Sequence, residues 1–391
     1  MTGWITSALV FCAALSSAAA EESALVVGAV VSETGAHAAA AADYRKGLVL
    51  WAEETNAAGG LLGRRIELRL KDDGSEAGRA GAAYAELISA GADVLVGPYG
   101  SAATLTGAAE AERARRVMLN AAGPSSQVHK RAPRYVFQTV PPYAAYADGA
   151  LAAARELRAE SIFILARDDA ASREMAEAAQ AQARRLGFRH VELEVYPAGT
   201  VDFLPQLYKA MAVQADAWIA FTDARDAADM VKTLKRHGYV PRLLYVRGSP
   251  DPRFATLVGQ DAEFTLGSKE YDARFPTAGN ASFVKTFTAK WSAPPGALAA
   301  GAYAAGTVLA EAVRRAGTVQ AAKLRGTLAA MEVETVLGRY RVDPASGAQV
   351  GIKPALTQIV KGRAEPVWPE ALAGDRSILH FAAWAERKLL R

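Results

Sequence analysis

The stretch TNAAGGLLGRRIELRLKDD, residues 55–73, holds a helix end, a turn and a strand in immediate succession. Gly59 and Gly60 can take the left-handed backbone that closes a helix, and Leu61 and Leu62 can fold back onto it. Ile66, Leu68 and Leu70 then alternate with Glu67, Arg69 and Lys71, which predicts a strand with one wet face near a sheet edge. Asp72 and Asp73 fall at the C-terminal end of that strand. They read as loop or cap acceptors, not as a catalytic pair.

Working outward, LVVGAVV (25–31) is a continuous apolar run, as expected of a strand covered on both faces. The loop SETGAH (32–37) and an Ala-rich helix to Asn56 follow. A helix over EAGRAGAAYAELISAG (76–91) precedes the strand DVLVG (93–97). A helix from Ser101 and the strands VMLN (117–120) and YVFQT (135–139) come next. The alternation restarts at ESIFILA (160–166) and continues through HVELEVY, DAWIAF and RLLYV with helices between. Repeated βαβ units predict an α/β fold with parallel sheets and helices on both faces. VPPY (140–143) breaks the pattern and marks a crossover. At 391 residues the chain is too long for one ordinary core and suits two lobes. The segment ALAAGAYAAGTVLA (297–310) is short for a membrane span and predicts a buried helix. The tail DRSILHFAAWAERKLLR (375–391) predicts a terminal amphipathic helix.

Composition is globular, with 51% hydrophobic and 22% charged residues and a mean hydropathy of +0.03. The 45 basic residues are interleaved with 41 acidic ones, for a net charge of +4. No basic run or aromatic-plus-Arg stripe is present, so the balance reads as a solvated surface, and no nucleic-acid partner is expected. The N-terminus MTGWITSALVFCAALSSAAAEE joins an apolar stretch to the small-residue run Ala18–Ala20, although no Lys or Arg precedes it. This predicts a cleaved signal peptide over 1–20 and an exported, periplasmic protein, rather than an anchor. Cys12 is the only cysteine, so the cleaved chain would carry no disulfide and no thiol chemistry. Phe11 stands where a lipoprotein signal wants a small residue. His37, His129, His190, His237 and His380 are scattered without metal-ligand spacing. No GxSxG, phosphate-binding P-loop or GxGxxG is present, so neither catalysis, a metal nor a cofactor is expected.

Several segments, in this order, resemble the type I periplasmic solute-binding proteins of ABC transporters, branched-chain amino acid (leucine/isoleucine/valine) class. They are SETGAHAA, NAAGGLLGRRIEL with its following Asp pair, VGPYGSAAT, YVFQTVP and GAYAAGTVLAEAV. The resemblance covers nearly the whole chain after the N-terminal segment. It implies two Rossmann-like doubly wound lobes joined by three crossover segments, with a solute enclosed between them. The N-terminal lobe would comprise 24–139 plus 268–338, and the C-terminal lobe 140–267 plus 339–391. The crossovers would lie near Gln138–Pro141, Leu266–Tyr271 and Gly338–Asp343.

Open α/β sheets bind ligands beyond the carboxyl ends of their strands. VGPYGSAAT (96–104) sits at such an end, and Ser101 opens the following helix, whose free N–H groups and positive dipole end suit a carboxylate. The resemblance implies that Ser101, with backbone groups at Ala122 and Gly123, holds the solute carboxylate; Gly100 belongs to the same loop. Ser101 as a plain N-cap is compatible with this. Tyr99 is placed either on the solute or at the lobe interface. Two departures bear on the solute. Pro124 stands where the family commonly has a threonine, and proline supplies neither hydroxyl nor N–H, a loss Ser125 is placed to offset. RGSPD (247–251) stands where amino-acid binders place a carboxylate for the ammonium group. Arg247 there can face a second carboxylate or simply be solvated.

In the second lobe, Ser172 in DDAASRE (168–174) occupies a site-lining position that is often tyrosine in the family. Thr222 is at a strand tip, whereas Phe221 reads as core and Glu33 as a solvated loop carboxylate. The resemblance thus implies a monomeric binding component of an ABC importer that closes around a small carboxylate-bearing solute. That solute would be a branched-chain or related amino acid, or an organic or aromatic acid, delivered to inner-membrane permease subunits. A sensory binding protein that presents its solute to a receptor is the alternative. An enzyme on the same fold is disfavoured.

Overall fold

The computed structural model describes residues 23–378 and 380–386. The predicted signal peptide lies outside these residues.

The first sheet is built from five strands and three intervening helices. In order they are β1 (Leu25–Val31), α1 (Ala38–Ala57), β2 (Ile66–Asp72), α2 (Ala77–Ser89), β3 (Val94–Val96), α3 (Ser101–Ala114), β4 (Met118–Asn120) and β5 (Val136–Gln138). All pairings are parallel and the strand order is β2-β1-β3-β4-β5. The opening stretch folds as its pattern dictates. Gly59 and Gly60 take φ of 95° and 78° after α1, and β2 emerges as the wet edge strand. Leu61 is buried, but Leu62 turns out to solvent at 40% exposure, because the tight Leu61–Arg64 bridge directs it away from the helix. Asp72 accepts from the Thr34 hydroxyl at 2.7 Å and the Glu33 N–H at 2.9 Å, and Asp73 from the Ser32 hydroxyl at 2.7 Å. The aspartate pair therefore braces the first βα loop, as acceptors.

The chain then builds a second sheet. Its elements begin with α4 (Asp148–Glu156), β6 (Ser161–Arg167), α5 (Ala170–Arg185), β7 (His190–Tyr196) and α6 (Leu204–Ala212). They continue through β8 (Ala217–Phe221), α7 (Ala224–Arg236), β9 (Leu243–Val246), α8 (Pro252–Val258) and β10 (Leu266–Lys269). It returns to the first lobe with α9 (Asn280–Trp291), α10 (Ala297–Ala316), α11 (Ala321–Ala330) and the hairpin β11 (Val333–Thr335) and β12 (Gly338–Tyr340). It ends on the second with β13 (Ala355–Val360), β14 (Arg363–Trp368) and α12 (Glu370–Ala373). The second sheet runs β14-β13-β10-β9-β8-β6-β7. The chain thus passes between two doubly wound lobes three times.

Helix α10 is the buried helix expected from its Ala- and Gly-rich face. Ala302, Ala305, Val308 and Leu309 join Val27, Ala29 and Val31 of β1 in one core. Small residues set the helix spacing: a Cβ on Gly47 of α1 would lie 2.1 Å from the Ala299 carbonyl oxygen of α10. No described helix is long and apolar enough to cross a membrane.

Beyond the expected parallel strands, β13 runs antiparallel to β10 and to β14 at one edge of the second sheet. A tight turn makes this possible, with Lys361 and Gly362 at φ of 52° and 74°, the geometry that suits a twisted hairpin. One expectation is corrected: the tail is not a helix over its described residues. Its apolar groups bury one by one against the second lobe instead: Phe381 is in the core with Ile359, and the Trp384 indole donates to the Tyr239 carbonyl at 2.9 Å.

Candidate functional site

The loop after β4 of the first sheet, packed on the start of α3, meets α5 of the second lobe through Ser125, Ser126 and Glu174. On the first lobe, Gly100 takes φ of 92°, which releases β3 into α3 and sets Ser101 at the helix start. The first N–H groups of a helix have no partner within it. The loop after β4 packs against this turn. The Gly100 N–H donates to the Ala122 carbonyl at 3.1 Å, and the Ser125 N–H donates to the Ser101 hydroxyl oxygen at 3.1 Å. Asn120 brackets Gly123, accepting from its N–H at 2.9 Å and donating to its carbonyl at 2.8 Å. A Cβ at position 123 would come within 2.5 Å of the Thr104 hydroxyl, so only glycine fits this close approach.

Buried His129 locks the loop from behind, with one ring nitrogen 3.3 Å from the Asn120 amide and the other 2.9 Å from the Ser346 carbonyl. Burial lowers its pKa, and only the contact with Ser346 opposes the shift. Pro124 donates nothing, but its carbonyl accepts from the Tyr143 N–H at 3.0 Å. That bond ties the loop to the short 3-10 turn Tyr143–Ala147, where the chain enters the second lobe.

From the second lobe, Glu174 of α5 reaches across. Its carboxylate accepts from the Ser125 hydroxyl and from the Ser126 N–H, both at 2.6 Å. Tyr143 lies beside this contact. Burial pushes its hydroxyl up to about 12, Arg247 pulls it down, and Glu270, Glu174 and Tyr99 add to the rise. Tyr99 is half-buried and meets His37 edge-on, with ring centroids 5.4 Å apart.

Arg247 follows β9 directly. Gly248 next to it lies so close to the Asp223 backbone that a Cβ would fall 2.3 Å from it, and Ser249 is buried with its hydroxyl on the Leu266 carbonyl. Arg247 is therefore the side chain of RGSPD left to reach the lobe interface. Its guanidinium lies over the Tyr146 ring, 5.4 Å from the centroid. Among the described residues it forms no ion pair or side-chain hydrogen bond, and its Nε is shielded from water without a partner. Burial works against its charge, but Tyr146, Glu270, Tyr245 and Tyr143 together outweigh that and raise its pKa. Glu270 itself accepts a short hydrogen bond from the Tyr146 hydroxyl.

Of the residues singled out in the sequence, Tyr99, Gly100 and Ser101 lie in one loop of the first lobe, bonded to the loop that holds buried Ala122 and Gly123. Arg247 lies over Tyr146, with Tyr143 close enough to act on its charge. Ser172 and Thr222 are otherwise engaged. The Ser172 hydroxyl donates at 2.9 Å to Asp169, which caps α5 by accepting from the Ser172 N–H at 2.8 Å, and Thr222 is 2% exposed and accepts from the Tyr196 hydroxyl at 2.7 Å. Thr222 and Asp226 belong to a network that neutralises Arg167, which pairs with Asp223, Asp226 and Asp169. Phe221 is core, and Glu33 pairs at the surface with Arg45 at 3.3 Å. Glu174, Tyr143 and Tyr146 were missed in the sequence. Glu174 ends the stretch DDAASRE, and Tyr143 ends VPPY, so both lay at the edge of segments whose other residues drew attention.

The arrangement offers a helix start and hydroxyls on one lobe, a cation on the other, and tyrosines between them. It has the makings of a receptor for an anionic solute. Comparisons with known proteins agree with the fold. An amino acid binding protein of Pseudomonas aeruginosa is 26% identical over 332 residues, covering 83% of this chain and 88% of its own. A putative branched-chain amino acid ABC transporter protein from Silicibacter pomeroyi superposes with a TM-score of 0.82 at 18% identity, covering 91% of this chain and 98% of its own. A solute-binding protein of an ABC transporter from Rhodopseudomonas palustris, solved with 3,4-dihydroxybenzoic acid, gives a TM-score of 0.69 at 22% identity over 88% of this chain and 95% of its own. The family model for periplasmic binding proteins matches residues 24–363, and the chain belongs to that family, with its type I two-lobed fold.

Proposed function

We propose that this protein is the extracytoplasmic binding component of an ABC importer, which captures a small carboxylate-bearing solute between its lobes and hands it to membrane permease subunits. In this reading Ser101, the α3 N-terminus and the Ala122–Gly123 loop receive the carboxylate, Tyr99 flanks the solute, and Arg247 contacts it from the second lobe. Ser172 and Thr222 support the second-lobe wall through their own networks. The lobes comprise 24–139 with 268–338, and 140–267 with 339–391, save that β10 completes the second sheet and Tyr340 and Val342 pack in the first-lobe core, and the protein acts as a monomer. No bond is made or broken; the solute contacts both lobes and so favours their closed arrangement over an open one.

The observation that carries this reading is the continuous polar run from Ser101 through Ser125 to Glu174, which joins the helix start on one lobe to α5 on the other. A carboxylate at a helix start gains both the unpaired N–H groups and the dipole. The test is a thermal-shift screen of amino, hydroxy, keto, dicarboxylic and aromatic acids, followed by calorimetry. A binder at a hundred times its Kd stabilises the fold by about 2.7 kcal/mol, well within detection. At least one acid class is expected to do so. If none shifts the melting transition, the proposal fails.

A further inference from the structure

We infer that the solute carries a second acidic group, received by Arg247, and that the protein binds a small dicarboxylic acid without an ammonium group. The inference rests on the binding-protein reading above and deepens it.

Arg247 is anomalous among the cations near the strand ends of the second lobe. Arg167, at the end of β6, is ringed by three aspartates. Arg247 has no carboxylate within ion-pair distance among the described residues, although its Nε, like that of Arg167, is shielded from water without a hydrogen-bond acceptor. Tyr146 covers one face of the guanidinium. A planar cation with its Nε shielded, its outer nitrogens open and no anion beside it is matched by a planar anion that accepts two parallel N–H bonds. The facing lobe already offers the Ser101 helix start to one carboxylate.

The acidic side chains nearby are engaged. Glu174 spends both oxygens on Ser125 and Ser126, and Glu270 accepts from Tyr146. An ammonium group placed here would meet Arg247 first. The half-buried tyrosines at 99 and 143 give the spacer between the two acids an apolar flank.

The test is calorimetric titration of the full cleaved protein and its Arg247→Met and Arg247→Lys variants. The probes are succinate, glutarate, adipate and terephthalate, against their monocarboxylic counterparts and against leucine and glutamate. At least one dicarboxylate is expected to bind tighter than every monocarboxylate and amino acid. Arg247→Met should weaken it by about thirtyfold or more, and Arg247→Lys should recover part of that loss. The solute-free melting temperature of Arg247→Met should stay level or rise, because the variant breaks no ion pair. Preference for a monocarboxylate or an α-amino acid overturns the inference and leaves the binding-protein reading standing. So does a dicarboxylate affinity that Arg247→Met leaves unchanged. Binding of no acid at all overturns both.

Discussion

The carboxylate of Glu174, on the second lobe, accepts a 2.6 Å hydrogen bond from the hydroxyl of Ser125, on the first, and Ser125 in turn donates its N–H to Ser101. The residue that latches the lobes therefore also positions the proposed carboxylate receptor. Closure and binding share a part. Glu174→Ala removes two charge-assisted bonds present only when the lobes meet, so it should shift the lobe equilibrium toward open. Apparent solute affinity should fall by roughly tenfold, consistent with a net contribution of about 1–2 kcal/mol. Calorimetry against the best binder of the acid screen measures this, and an unchanged affinity would remove the latch from the mechanism.

Ser101→Ala should weaken solute binding by about tenfold or more, as expected for a lost hydrogen bond to a charged group. The fold should be little affected, since Ser101 is half-exposed and α3 retains its own ladder. Circular dichroism melts and titration of the same preparation separate the two effects.

His129 predicts a pH dependence. Its folded pKa lies below the ordinary value of 6.5 because burial disfavours the charged ring. The unfolded chain then binds the extra proton more readily, so the stability contribution is complete above about 6.5 and declines as pH falls below it. Melting temperature followed from pH 7.5 down to 5 should drop more steeply for the parent than for His129→Gln, as roughly expected for a buried neutral histidine. Equal slopes would contradict this assignment.

The contact of α1 with α10 has no room for a methyl group at Gly47. Gly47→Ala should force the helices apart at a cost of about 1–3 kcal/mol. Chemical denaturation should show a lower midpoint with an unchanged slope.

Much of this architecture is written in local pattern. The alternating faces of β2, the apolar run of β1 and the helix that starts at Ser101 follow from spacing within a few residues, and the structure reproduces them. What local pattern cannot carry is pairing across the lobes. Glu174 and Ser125 are 49 positions apart, and neither has a neighbour that announces the other. Ser172, three helix positions from its cap, was drawn to the site by family analogy, while its hydroxyl serves Asp169. The tail misled for a related reason: its amphipathic spacing is real, but Tyr239 and the second-lobe core offer its aromatics better burial as separate anchors than as one helical face. Arg247 was legible as a departure in RGSPD, yet its want of a partner became visible only with Tyr146 and Glu270 placed around it.

The central claim is that solute draws the two lobes together. Leu105 on α3 and Tyr208 on α6 are exposed, at 47% and 59%, one on each lobe, and the only native cysteine, Cys12, lies in the predicted signal peptide. Spin labels on Leu105→Cys and Tyr208→Cys report the lobe-to-lobe distance by pulsed electron resonance. Saturation with an acid that binds should convert a broad distribution into a shorter, narrower one. An identical distribution with and without that acid would contradict the account.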